Sequence, residues 1–142
     1  MSDVIIDDRN LKRIIAATPG MMTDITGAIA YDIEAKWKAK MGTGNAGRAY
    51  KGHVASAPGG PPAIDTGAFR NSIHTTKVGD AFEVSDGVEY GVYLEFGTVS
   101  KTKGYAPGNT RMLPRPSLQP AIDDATRDAP AIIRAIAGRT LR

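Results

Sequence analysis

The chain has no cysteine in its 142 residues, which excludes disulfides, thiolate metal sites and cysteine nucleophiles together and suits assembly in a reducing cytoplasm. Only two histidines are present, His53 and His74, with no carboxylate or second histidine at ligand spacing. No apolar run approaches the roughly 18 residues that span a bilayer. The first ten residues, MSDVIIDDRN, are acidic and lack a basic stretch followed by an apolar one, so they do not read as a secretory signal. A soluble protein is expected. Aromatic residues are few, at 6%, but 42% hydrophobic and 23% charged residues are ordinary for a folded chain. The length suits a single domain, 1–142, able to bury roughly 68–70% of its unfolded surface without staples. Sixteen glycines and nine prolines make much of that domain loop.

Read along the chain, Leu11, Ile14 and Ile15 predict a first helix from Asp7 to Ala17, which Pro19-Gly20 should stop. A longer helix, about Met21 to Met41, carries Met22, Ile25, Ile29, Ile33 and Trp37 on one stripe. That stripe reads as core, with Trp37 beneath the C-terminal helix. From Gly42 to Ile64 no period survives, which predicts an extended loop. Asp65 or Thr66 can cap a turn of helix bearing Phe69 and Ile73. Ile73–Val78 and Ala81–Ser85, around Gly79-Asp80, read as a hairpin. Val88–Phe96 fits a strand by alternation and a helix by the grouping of Tyr90, Tyr93 and Leu94 before Gly97. Residues 98–112 form a second irregular loop. A last helix, about Ser117 to Gly138, carries Leu118, Ile122, Ala125, Ala129, Ile132, Ile133 and Ile136, and Pro130 should kink or interrupt it near Arg127.

Catalytic constellations are missing from this pattern. GTGNAG lacks the Gly-Lys-Ser/Thr ending and preceding strand of a phosphate loop. Ser72 and Ser117 have no nucleophile-elbow context. Glu89 and Glu95 lie six apart, do not share a helix face, and read as surface or interface carboxylates. An enzyme is not expected, and neither a cofactor nor a metal. Charge is more informative. The net charge is +3, and from Lys36 to Lys51 five bases occur without an acid. Lys101, Lys103, Arg111 and Arg115 form a second basic stretch. These stretches are solvated loops, or face nucleic acid or an acidic protein surface.

Three blocks in order, APGGPPAIDTGAFRNSI (57–73), VEYGVYLEFGT (88–98) and LPRPSLQPAI (113–122), span nearly half the chain. Together they resemble the tail-component family of long-tailed bacteriophages, the tail-completion and neck proteins of head–tail joining. The family shows a Pro-rich lead into Asp-Thr-Gly, a helix ending in Ser-Ile, a Tyr-rich Glu-Phe-Gly-Thr block, and Arg-Pro before the C-terminal helix. Ala68 stands where a larger residue is common. Ser117 stands where Phe is usual, which predicts weaker anchoring of the last helix.

The resemblance implies an α+β fold, a short antiparallel sheet packed by an N-terminal and a C-terminal helix, with extended loops at 42–64 and 98–112. It favours a short helix for Glu89–Phe96, ending at a Gly97 of positive φ. It implies a structural virion protein, assembled in the host cytoplasm, forming a ring of about six copies at the head–tail junction or top of the tail tube. Partners would be neighbouring neck and tail-tube proteins, with DNA met only as it passes the channel, and no membrane or small-molecule substrate. The loops are expected to make most of their contacts outside their own subunit. Candidate interface residues are Arg48, Lys51, Pro61, Pro62, Asp65, Thr66, Gly67, Glu95, Phe96, Gly97, Thr98, Lys101, Lys103, Arg111 and Arg115. Two other readings stand beside this one: a head-closure or connector ring on the portal side, perhaps twelvefold, and a basic nucleic-acid-binding protein.

Overall fold

One long helix organises the chain. In the computed structural model, which describes residues 7–42, 47, 49–57, 59–99 and 110–142, α1 runs from Arg9 to Lys40 without a break. At 32 residues it is about 48 Å long. The two helices expected on either side of Pro19-Gly20 are therefore one. Pro19 removes a single backbone hydrogen bond, and it does so on an open stretch where Ile15 is 62% exposed, so the freed carbonyl can be hydrated. The helix is tied on the far side of the proline by Arg13, whose guanidinium donates to the carbonyl oxygens of Arg142 (2.9 Å) and Leu141 (3.3 Å).

Those carbonyls lie just past the end of α4, Leu118–Thr140, which runs antiparallel to α1 and is uninterrupted at Pro130. Ion pairs fasten the other end of the helix pair: Lys40 Nζ lies 2.6 Å from Asp124, and Lys36 Nζ reaches both Asp32 (2.5 Å) and Asp128 (2.7 Å). The two aspartates raise the Lys36 pKa above its ordinary value, its hydrogen bond to Asp128 first. Most of these side chains are half-buried, with Asp128 alone exposed, and the pairs join α1 to α4 in this alignment.

The remaining elements lie along the middle and C-terminal half of α1. A hairpin pairs β3 (His74–Val78) with β4 (Ala81–Ser85), in antiparallel register from His74↔Ser85 to Val78↔Ala81 across Gly79-Asp80. It packs on α1 through Phe82, whose ring tip would lie 3.0 Å from any β-carbon at Gly27, so this helix position favours glycine. Glu34 pins the hairpin from the side, accepting from Thr75 Oγ1 at 2.7 Å and from Lys38 Nζ at 2.5 Å. These bonds, Lys38 foremost, hold its carboxyl below the ordinary range. Two short helices, α2 (Ala68–Ser72) and α3 (Gly91–Phe96), flank the hairpin. The fold is α+β, but the strands form separate two-stranded ribbons and not one sheet. Within the expected loops, β1 (Ala49–Tyr50) pairs with β2 (His53–Val54), and β5 (Thr98–Val99) with β6 (Thr110–Met112).

The main core cluster sits where α1, α2, β4 and α4 meet. Trp37, Met41, Ile73 and Ala121 are buried there, with Phe69, Val84 and Leu118 packed against them. Trp37 is 4% exposed. Its ring meets Phe69 edge-on at 6.2 Å, and its indole N–H donates to the Ser117 hydroxyl at 2.9 Å. Of the predicted stripe, Ile25 and Trp37 are buried, whereas Met22 is 51% exposed. Trp37→Ala is expected to lower the unfolding free energy by about 3–5 kcal/mol, measurable by urea denaturation; an unchanged midpoint would remove Trp37 from the centre of the core.

Candidate functional site

The three sequence blocks close on one another in space, around the N-terminus of α4. A helix start leaves four backbone N–H groups without intrahelical partners. Here those of Ser117 and Leu118 donate to Glu95 Oε2 at 2.8 and 3.1 Å, and that of Gln119 donates to Oε1 at 3.0 Å. The fourth position is Pro120, which has no N–H. A single carboxylate from α3 thus accounts for the helix start, and its negative charge suits the positive end of the helix dipole. Glu95 is therefore a structural cap and not a surface carboxylate, and it does not pair with Glu89 in any acid–base arrangement.

Ser117 corrects a second expectation. It does not weaken the anchoring of α4: it is 1% exposed and takes the Trp37 indole bond where an aromatic side chain would have packed. The blocks are sewn together further by backbone bonds. Arg115 N–H donates to the Leu94 carbonyl at 2.7 Å and Gly59 N–H to that of Pro114 at 2.9 Å, while the Phe69 and Tyr90 rings meet at 5.9 Å. Gly97 ends α3 with φ +75° and ψ −177°. This positive-φ region is open essentially to glycine alone. A β-carbon there would also lie 2.6 Å from the Met112 carbonyl oxygen.

Two clefts flank α3. One, of about 430 Å³, is lined by Met41, Pro62, Ile64, Phe69, Tyr90 and Leu94, with Asp65, Thr66, Arg70 and Arg115 among its polar lining. The other, of about 440 Å³, has Trp37, Val84, Val88, Val92, Phe96 and Leu118 in its lining, with Asp86 and Glu89 beside them. Between them α3 turns large apolar groups to solvent: Phe96 is 75% exposed, Tyr93 54%, Val92 53%, and neighbouring Leu113 52%. Val92, Tyr93 and Leu113 were not among the candidates: alternation places Val92 on a strand face, helical spacing groups Tyr93 with Tyr90 and Leu94, and neither pattern reaches Leu113.

The candidates divide accordingly. Pro62, Asp65, Thr66, Gly67 and Arg115 share the first cleft, and Thr66 Oγ1 accepts from the Ala68 N–H at 3.2 Å. Pro62 is buried and its carbonyl holds Gly42 N–H at 2.9 Å, and Ser56 is 3% exposed. Part of 42–64 thus faces its own core, contrary to expectation. Pro61 and Thr98 are half-buried, and Lys51 is exposed at the turn of the β1–β2 ribbon. Phe96 is the candidate most open to a partner. Arg48, Lys101, Lys103 and the Arg111 side chain lie outside the described residues, as does most of the second basic stretch. Among the described residues no group of three or more His, Asp or Glu is placed to hold a metal, and no helix is long and apolar enough to cross a membrane.

Two substitutions test this junction. Glu95→Ala is expected to cost about 1–3 kcal/mol of stability, read by urea denaturation, and Glu95→Gln less because it keeps part of the cap; equal stability of all three proteins would contradict the capping role. Gly97→Ala is expected to cost about 1–3 kcal/mol from its backbone conformation alone, so an unshifted thermal midpoint would show that the turn relaxes freely.

No protein-family model, curated protein or solved structure matches this chain.

Proposed function

We propose that the chain is a structural virion protein of a long-tailed bacteriophage, one that works by assembling and not by catalysis. In this reading it forms a ring of six copies at the head–tail junction or on top of the tail tube, completes the tail and joins it to the head. Its neighbours are other neck and tube proteins, and DNA passes through the ring without being held as a ligand.

The observation that carries the reading is the closure of the three family-like blocks into one unit. Glu95 of the second block caps the helix begun by the third, and the first block is bonded to the third through Gly59 and Pro114. Residues that look like a family signature thus act together on one piece of architecture, as a signature should. The exposed apolar face of α3 adds to this: contiguous apolar groups rimmed by polar ones mark surfaces that meet other proteins.

An antibody against the chain is expected to label the neck of intact virions in electron micrographs. A phage unable to make it is expected to accumulate filled heads beside unjoined tails. Unlabelled virions together with normal joining would overturn the proposal.

A further inference from the structure

Among the described residues the half-buried basic side chains are Lys36, Lys38, Lys40 and Arg115. The three lysines each meet an acid: Lys36 reaches Asp32 and Asp128, Lys38 reaches Glu34, and Lys40 reaches Asp124. Arg115 meets none among the described residues. Its side chain makes a single hydrogen bond there, from Nε to the Ser56 carbonyl oxygen at a long 3.4 Å, which leaves both terminal nitrogens without an acceptor from the chain. Taking a charge out of water is costly unless an opposite charge or good acceptors replace the lost hydration. A fold that matches its other half-buried cations leaves this one unmatched.

Arg115 lines the first of the two clefts beside α3. At about 430 Å³ that space falls within the roughly 300–1,000 Å³ of ligand clefts. Met41, Ile64, Phe69 and Leu94 supply its apolar lining, and the Tyr90 ring stands edge-on to Phe69. Arg70, exposed on α2, brings a second positive charge. Asp65 is the one acid of the lining and already has an interaction of its own. A guanidinium presents a planar fork that takes both oxygens of a carboxylate. The acid at the same cleft disfavours a polyanion, and the apolar lining favours a ligand whose charge is flanked by apolar groups. Both conditions describe an acidic side chain within an apolar stretch of polypeptide.

We propose that this cleft is a docking site for a peptide segment of a neighbouring protein, with a glutamate or aspartate of that segment on Arg115 and its apolar neighbours against Met41, Phe69 and Leu94. The unmatched guanidinium and the lining around it select the carboxylate. That the carboxylate arrives on a neighbouring protein rests on the assembly reading above.

The test follows the isotope-labelled chain by nuclear magnetic resonance while capped tripeptides are added, acetyl-Leu-Glu-Leu-amide and acetyl-Leu-Gln-Leu-amide. The glutamate peptide is expected to shift the backbone amide signals of Ile64, Phe69 and Leu94 and the Arg115 Nε–H signal. It is expected to bind roughly tenfold more tightly than the glutamine peptide. Arg115→Gln is expected to bind both alike. Sodium acetate, which has the charge without the flanking groups, is expected to bind about tenfold or more weakly than the glutamate peptide. A glutamate peptide that moves none of these signals, equal affinities of the two peptides for the unaltered chain, or a preference that survives in Arg115→Gln overturns the proposal. So does acetate binding as tightly as the glutamate peptide, or a short oligothymidylate binding more tightly. The near-UV circular dichroism of Trp37 reports whether the variant is folded; if it is not, Arg115→Met, which keeps an apolar stem in the same place, replaces it with the same expected outcomes. Failure of these measurements leaves the ring reading standing, and unlabelled virions with normal joining leave the carboxylate site standing.

Discussion

Everything at the C-terminal end of α1 depends on how the start of α4 is satisfied. Ser117 at that start is only 1% exposed, so water cannot serve its N–H group, and an unsatisfied buried donor costs about 1–3 kcal/mol. The chain meets the need from a distance: Glu95 takes three donors, Pro120 removes the fourth, and Trp37 fixes the hydroxyl of the capping residue. Each solution constrains something else. Glu95 can reach only if α3 ends where it does, which requires the turn at Gly97. Arg115 N–H must then meet Leu94, and Trp37 must lie under Ser117. The position of α3 relative to the helix pair is thereby set by hydrogen bonds as much as by apolar packing, beside the buried cluster of Trp37, Met41, Ile73 and Ala121.

This explains which parts of the fold were legible in the sequence. The hairpin was, since its turn pair Gly79-Asp80 and its flanking β-formers are local signals, and the observed register runs to Val78↔Ala81 as they suggest. The last helix was, because its apolar stripe is long. The single α1 was not: Pro19-Gly20 is a strong local stop, and only the docking of Arg13 onto the end of α4, more than a hundred residues away, shows the helix continuing past it. Glu95 was equally hidden. Nothing in its neighbourhood marks a carboxylate as the cap of a helix that begins 22 residues later. Ser117 misled for a related reason, as a small polar residue suggests weak anchoring unless its indole partner is known.

The candidate site was legible as a set of blocks and not as a surface. The motif residues Pro62, Asp65, Thr66, Gly67 and Arg115 gather at one cleft, which order and spacing alone do not reveal. Several of them turn out to serve the chain's own architecture. What faces solvent is the apolar side of α3, built from Val92, Tyr93 and Phe96. A periodicity argument counts such residues toward a core because it cannot see that a six-residue helix, Gly91–Phe96, has more apolar groups than one face can bury.

The same reasoning applies to the first turns of α1, where local cost and local return are out of balance. Proline inside a helix costs roughly 3 kcal/mol, and ordering each backbone residue costs about 1–2 kcal/mol of entropy. Against this, the stretch before Pro19 offers exposed Leu11 and Ile15, two surface ion pairs and one guanidinium on the end of α4. Apolar groups left in water return nothing. The segment is thus the part of the helix pair that the monomer supports least, and the part whose side chains have most to gain from a cover. A sequence that keeps a helical stripe running for several turns beyond its own core, through a proline, has a pattern that burial within one chain does not account for.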